Sequence, residues 1–282
     1  MISSPNSRWM MVVLTWVLGQ ISPTNMTEEQ PRPYYESDRA ISEYLLFHYG
    51  TAEDQMPHEF GPHSALNYPL RCVTECLDSD ALPDNARALD LGCAVGRSTF
   101  ELARHCSEVV GIDFSNSFIE RANQLKSEGQ CDYSFIEEGM LARETSANVD
   151  PLIERNRVRF QQGDAMNLPE DLGKFHAILM ANLIDRLVEP MLCLNQLPDL
   201  MEKGGQLIIT SPYTWLEEYT PRENWLGGFE ENGKPIGTLD GLISGLGSSF
   251  ELIETKDLPF LIREHARKYQ WSIAQASIWR RK

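Results

Sequence analysis

One stretch constrains this chain more than any other: an apolar strand that runs into a glycine-bearing turn, followed by a second apolar strand tipped with an acid. The first part is Arg87-Ala88-Leu89-Asp90-Leu91-Gly92-Cys93-Ala94-Val95-Gly96-Arg97-Ser98, which reads as a buried strand, a turn and a helix starting at Arg97. Glycine at positions 92 and 96 lets the backbone turn tightly and lets a ligand approach the bare main chain. The second part is Val109-Val110-Gly111-Ile112-Asp113-Phe114, whose acid lies seventeen residues after Gly96. An acid at that distance, at the tip of the neighbouring parallel strand, suits the two hydroxyls of a ribose.

The middle turn position is Ala94, so the string is not the dinucleotide pattern G-x-G-x-x-G, and no third glycine follows to pack the helix. Asp90-x-Gly92-x-Ala94-x-Gly96 instead resembles the S-adenosylmethionine (SAM) turn of class I methyltransferases, usually D/E-x-G-x-G-x-G. That cofactor has no pyrophosphate. The resemblance implies a turn lying against its methionine and ribose, with Asp90 meeting the ammonium directly or through water. An NAD or FAD enzyme is the alternative that a glycine turn alone leaves open.

A chain of 282 residues can hold one large α/β domain with decorations. Its formal charge of −16 disfavours a phosphate backbone as ligand. The basic clusters at 263–268 and 280–282 are short and interrupted, so small-molecule chemistry is expected, with neither nucleic acid nor membrane as partner. The six cysteines do not read as a disulfide framework. Cys93 sits in the turn, Cys106 and Cys193 fall in expected helices, and Cys72 and Cys76 have no second pair or nearby histidines to complete a zinc site. Buried reduced thiols and a cytoplasmic location are the expectation, with no metal site.

Residues 1–25 carry an apolar run at 9–18, too short to span a bilayer as a helix and without a clear signal-cleavage site. They are read as a dispensable extension ahead of Met26, with a hydrophobic anchor as the second reading. Residues 26–282 are expected to form the methyltransferase domain. Within it, Ser37 or Asp38 caps a helix to about Tyr49, which Gly50 ends, and residues 71–77 form a helix after an irregular stretch. Ser115 caps a helix stopped by Gly129. Residues 131–156 form a polar insertion, as a β-ribbon or a mobile flap. Further strands are expected at 158–161, 175–181 and 206–210. The helix opened by Pro190 is expected to close at Gly204-Gly205. Residues 250–253 and the run holding Tyr269, Trp271 and Ile273 form a last antiparallel pair, and 211–248 form a substrate lid. The fold class is therefore α/β, Rossmann-like, with a seven-stranded mostly parallel sheet, helices on both faces and an antiparallel last strand. Polar residues collect after the strands' carboxyl ends, where open parallel sheets bind ligands. Asp164 and Ala165 there suit the adenine, and Asp90, Gly92, Ala94, Gly96, Asp113, Phe114 and Asn182 complete the expected cofactor set.

More specific strings accompany the turn. They are Tyr44-Leu45-Leu46-Phe47-His48-Tyr49-Gly50, Ala181-Asn182-Leu183-Ile184-Asp185-Arg186-Leu187, Ser211-Pro212-Tyr213-Thr214-Trp215-Leu216-Glu217-Glu218-Tyr219-Thr220-Pro221, Trp225-Leu226-Gly227-Gly228 and Arg263-Glu264-His265-Ala266-Arg267-Lys268-Tyr269-Gln270-Trp271. Together they resemble the mercaptohistidine N-methyltransferases of ovothiol biosynthesis, over about residues 34–280. In that family the module is often fused behind an iron-dependent domain that joins histidine to cysteine, and no H-x-x-x-H-x-E metal string occurs here. The resemblance implies a stand-alone methyltransferase that uses SAM and releases S-adenosylhomocysteine. Its acceptor would be 5-thiohistidine (4-mercaptohistidine), made by a separate iron-dependent sulfoxide synthase, and its reaction the last step to ovothiol A. Another small acceptor, such as a carboxylic acid or a different thiol, is the second enzyme reading. A non-catalytic SAM-binding partner of a synthase is the reading from another class.

An imidazole nitrogen has a reference pKa of about 6.5, so a neutral nucleophile is available near neutrality and no strong base is required. The thiolate of such an acceptor is the better nucleophile, so the site must aim nitrogen at the methyl group and hold sulfur away. Asn182 is expected beside the methyl group. Arg186 or Arg263 suits the substrate carboxylate, and Glu217 or Glu218 its ammonium. Tyr213 and Trp215 can sandwich the ring, with lid packing as the other reading for Trp215 and Trp225. Asn182, Tyr213, Glu217 and Arg186 form the expected catalytic set, with His48 and His265 read as structural.

Overall fold

A computed structural model describes residues 34–282 of the protein. Residues 1–25, with the extension and anchor readings attached to them, lie outside the described residues. The helices are α1 (Asp38–Tyr49), α2 (Ala52–Gln55), α3 (Tyr68–Thr74), α4 (Arg97–Leu102), α5 (Asn116–Glu128), α6 (Pro190–Leu200) and α7 (Thr238–Leu246). The strands are β1 (Arg87–Leu91), β2 (Glu108–Asp113), β3 (Gln130–Glu138), β4 (Leu141–Asn148), β5 (Val158–Gln162), β6 (Phe175–Ala181), β7 (Met201–Ser211), β8 (Phe229–Glu231), β9 (Lys234–Ile236), β10 (Phe250–His265) and β11 (Lys268–Arg281). Seven strands make one sheet in the order β10-β11-β7-β6-β1-β2-β5. Strands β5, β2, β1, β6 and β7 run parallel, β11 is antiparallel to β7, and β10 is antiparallel to β11. This is the α/β architecture expected from the sequence.

The central strands are apolar runs because helices cover both faces of the sheet, leaving no wet side to reward alternation. Ala88 packs in the layer of α1, α3, α4 and α5, while Leu89 and Leu91 face the layer of α6 and α7. The chain leaves β1 for β2 and β5 on one side and resumes with β6 and β7 on the other. A crevice therefore opens at the carboxyl ends of β1 and β6, where the strand order reverses. Local signals set the elements around it. Ser37 Oγ accepts from Ala40 N–H at the start of α1, and Ser115 Oγ accepts from Phe118 N–H at the start of α5. Gly129 ends α5 at φ 82°.

The structure corrects several boundaries. Helix α3 begins at Tyr68, earlier than expected, because Pro69 in its first turn gives up no needed N–H. Helix α6 ends at Leu200, two residues past Pro198, and Gly204-Gly205 lie inside the irregular start of β7. Strand β10 runs on to His265, well beyond residues 250–253. Its outer half stays paired with β11 past the point where β7 ends, so Phe260 reaches the rings of Phe47 and Tyr68. The insertion is an antiparallel ribbon, β3–β4, that buries Cys131, Tyr133 and Phe135 in the core. Arg263 pins it from β10 by donating to Glu137 Oε2 at 2.6 Å. All six cysteines are free and buried. Among the described residues no helix is long and apolar enough to cross a membrane.

Gly96 sits at φ 86°, and a Cβ there would come within 2.5 Å of the Phe160 ring on β5. Gly96→Ala is expected to destabilise the fold by about 1–3 kcal/mol through backbone strain and overpacking. Denaturant unfolding checks this, and an unchanged midpoint would contradict it.

Candidate functional site

The turn after β1 adopts left-handed backbone at three positions, with φ 75° at Gly92, 46° at Ala94 and 86° at Gly96. A non-glycine residue rarely holds that conformation. At Ala94 the backbone N–H donates to Asp113 Oδ2 at 2.8 Å, so the acid ending β2 fastens the turn ending β1. Asp113 Oδ1 accepts from Ser115 N–H at 2.9 Å, which aligns the carboxylate with the start of α5. Asp90 is buried within the turn. Its Oδ2 accepts from Ser98 Oγ and Thr99 Oγ1, both at 2.7 Å, and its Oδ1 is buried with no partner. Burial raises both carboxyls, Asp90 to about 6 and Asp113 to about 6.

Above the turn lies a cavity of about 930 Å³ when the space open to solvent is counted. Gly92, Ala94, Ser98, Asp113, Phe114 and Ala165 line one end. These residues fit the cofactor that the turn implies. The backbone at Gly92 is bare, an ionisable acid stands at the neighbouring strand tip, and the orphaned Asp90 Oδ1 lacks the hydrogen bond that an ammonium or a bridging water would give. Phe114 stands 71% exposed at the rim, placed to cover a flat base. Asp90, Gly96 and Asp164 do not line the cavity. Gly96 packs on Phe160, and Asp164 Oδ1 accepts from Met166 N–H at 2.8 Å within its own turn.

Of the expected catalytic set, Asn182 and Arg186 line the cavity. Arg186 Nη1 donates to Asp185 O at 2.8 Å and to Thr214 O at 3.1 Å, and its guanidinium lies 4.8 Å from the centre of the Tyr219 ring. Tyr213 and Glu217 are not brought into the cavity. Tyr213 O–H donates to Gln275 Oε1 on β11 at 2.9 Å, and Glu217 is exposed. The expected ring sandwich does not form, because Trp215 stacks on Trp225 and donates to Thr238 Oγ1 at 2.8 Å. No residue of 211–248 lines the cavity. That segment packs against α6 through its own α7, and the Thr214 carbonyl reaches the rim by accepting from Arg186. Arg263 is likewise elsewhere, held by Glu137 and the Asp54 carbonyl, and His265 Nδ1 accepts from Arg267 N–H at 3.3 Å.

The other end of the cavity is built by residues that site reasoning from the sequence passed over. Tyr44, Phe47 and His48 come from α1, Tyr35 from just before it, Tyr68 from α3 and Phe118 from α5. Tyr44 packs against Phe118 with ring centres 4.7 Å apart, and Phe47 stacks on Tyr68 at 5.9 Å. Glu36 secures the entry to α1 by accepting from Asn116 N–H and Ser117 N–H at the start of α5. Burial, aided by the Arg97 charge, pushes His48 down to about 3, so this buried imidazole is neutral across the physiological range. The available signal was the aromatic density of 44–49, where Tyr44, Phe47, His48 and Tyr49 fall within six residues.

Residues 89–209 match the family model described as a methyltransferase domain. Over 188 residues the chain is 27% identical to a "23S rRNA (uracil(1939)-C(5))-methyltransferase RlmD" of Legionella pneumophila (strain Corby), covering 63% of this chain and 40% of that protein. It is 28% identical over 123 residues to a "Demethylmenaquinone methyltransferase" of Clavibacter sepedonicus, covering 44% of this chain and 40% of that one. The chain thus spans about 40% of the length of the curated relatives it matches. Among solved structures, the N-methyltransferase NodS from Bradyrhizobium japonicum WM9 in complex with S-adenosyl-l-homocysteine aligns with TM-score 0.49 and 17% identity, over 87% of this chain and 98% of that one.

Two outcomes are expected for the carboxylates. Asp113→Ala removes an ionised acceptor, and affinity for S-adenosylhomocysteine should fall by about 1.5–3 kcal/mol in calorimetry. The raised pKa values also fix the direction of a pH effect. In the free protein both groups add stability below the ordinary carboxylate range, and that stability is lost as pH rises through about 6. Ligand binding runs the other way, because the ionised Asp113 carboxylate lining the cavity is the acceptor. Affinity should therefore rise with pH through about 6 and then level, and a flat profile between about pH 5 and 8 would contradict the assignment.

Proposed function

From a chain that carries an S-adenosylmethionine-dependent methyltransferase domain, we propose methylation of an imidazole ring nitrogen of 5-thiohistidine as the activity. The observation that carries this reading is the composition of the cavity beyond the turn. Aromatic faces from Tyr44, Phe47 and Tyr68 adjoin one guanidinium, Arg186, and a neutral imidazole, His48. Flat rings suit a flat acceptor. The guanidinium suits the carboxylate of an amino acid. The strings that resemble mercaptohistidine N-methyltransferases supply part of this wall, including Tyr44, Phe47, His48, Asn182 and Arg186. The RNA and quinone acceptors named for the relatives are less suited: a charge of −16 repels a polynucleotide, and an isolated arginine offers no phosphate track.

When bound, the cofactor would supply an electrophilic methyl group to a ring-nitrogen lone pair, its sulfur keeping the electron pair of the broken bond and the ring losing one proton to water. What the chain contributes is placement. Holding nitrogen in line at near-contact distance can remove several kcal/mol from the barrier, about 7 or more in well-oriented systems. His48, neutral in its burial, adds no positive charge next to the one that develops on the acceptor. A separate iron-dependent synthase as the source of the acceptor, and the cytoplasm as the compartment, belong to the same proposal.

Incubating the protein with SAM and 5-thiohistidine should give a product heavier by one methylene in mass spectrometry. Plain histidine should react far more slowly, because a site formed for sulfur leaves polar groups unpaired without it. Equal rates for the two acceptors would refute a thiol-reading site. Arg186→Lys keeps the charge and loses the planar fork. It should raise KM for the acceptor about tenfold while leaving S-adenosylhomocysteine affinity within about twofold.

A further inference from the structure

Asn182 follows β6 in the left-handed region, at φ 53°, and is tied to Thr210 on β7 by two routes. Its backbone N–H donates to Thr210 O at 2.8 Å. Its side chain is reached through Tyr68, whose hydroxyl donates to Asn182 Oδ1 at 2.8 Å and lies 2.6 Å from Thr210 Oγ1. Tyr68 is buried, and burial holds its hydroxyl protonated, well above the usual tyrosine range. A phenol has one hydrogen to give. With that hydrogen on Asn182 Oδ1, Thr210 must be the donor to the Tyr68 oxygen. The chain of hydrogen bonds therefore runs one way, from Thr210 to Tyr68 to Asn182. It occupies the amide oxygen and leaves the Asn182 NH2 group with no protein partner among the described residues, on a side chain that lines the cavity. A strained backbone held by two independent ties is over-determined, as positioning groups at functional sites commonly are.

We propose that Tyr68 is a positioning residue: by fixing the Asn182 amide it turns two N–H donors toward the acceptor, where they hold the thiolate sulfur and leave a ring nitrogen to take the methyl group. This assignment rests on the proposed acceptor and deepens it. An amide presenting only donors must meet an acceptor of hydrogen bonds, and the thiolate is the group of this substrate that most needs restraint. Sulfur engaged by two N–H groups has its lone pairs committed and its approach direction set. Without the Tyr68 hydroxyl the amide is free to rotate, its oxygen can face the cavity, and an oxygen there repels the thiolate.

The test uses the whole chain with Tyr68→Phe, which keeps the ring and removes the hydroxyl. Three readings are taken: the ratio of N-methyl to S-methyl product by mass spectrometry and NMR, affinity for S-adenosylhomocysteine, and the affinity of 5-thiohistidine relative to histidine with S-adenosylhomocysteine bound. The expected result is N-methyl turnover down about tenfold, a rise in S-methyl product and a smaller preference for the thiol, with cofactor affinity within about twofold, the size of one lost hydrogen bond. Thr210→Val removes only the far donor and should shift the same ratios by less, which keeps the test valid if Tyr68→Phe fails to fold. Unchanged product ratio and thiol preference in a folded variant would overturn the assignment. So would a parallel loss of stability and cofactor affinity with both ratios intact, since that marks a purely structural tyrosine. No methylated product from the natural chain overturns the acceptor reading and this assignment with it. N-methyl product from the natural chain with selectivity independent of Tyr68 overturns this assignment alone.

Discussion

The hydrogen bond from the Ala94 amide to the Asp113 carboxylate is the contact on which the rest of the site depends. It joins the turn after β1 to the tip of β2, so the two halves of the ligand cradle are one unit. It also explains how alanine occupies a position where glycine is usual. The left-handed conformation at φ 46° costs a residue with a Cβ energy, and the part-buried charge-assisted bond offsets that cost. Asp113 thereby has two tasks, as acceptor for the turn and as ionisable group facing the cavity. Burial raises its pKa while the backbone N–H groups of Ser115, Ala94 and Phe114 lower it, and burial wins.

A second joint lies across the crevice. Asn182 after β6 and Thr210 on β7 are held together by backbone and by Tyr68, a residue from α3. Methyl transfer needs accurate placement more than strong acids or bases, and this arrangement is consistent with that need. The Asp113 carboxylate and the Asn182 amide oxygen are engaged by neighbours, and exposed residues such as Glu217 stand away from the cavity. The outer half of the β10–β11 hairpin contributes by packing Phe260 on Tyr68 and Phe47, so the last strands support the wall from behind.

What the sequence determined by itself is what local chemistry controls. The turn at 92–96, the acid at 113, the serine caps of α1 and α5 and the stop at Gly129 are each set by a few neighbouring residues, through backbone freedom, side-chain capping or an apolar run. Buried thiols followed from their apolar settings. Tertiary structure alone decided which side chains meet in the cavity. Tyr213 and Trp215 look like a substrate clamp as a string. Their partners, Gln275 and Thr238, lie 62 and 23 residues away and draw them elsewhere. Arg263 is captured by Glu137, 126 residues distant, because the ribbon folds against β10. The Tyr68 tie to Asn182, across 114 residues, has no local signature at all. A helix pattern records which face is apolar, and only the packing of distant segments decides whether that face meets a core or a ligand.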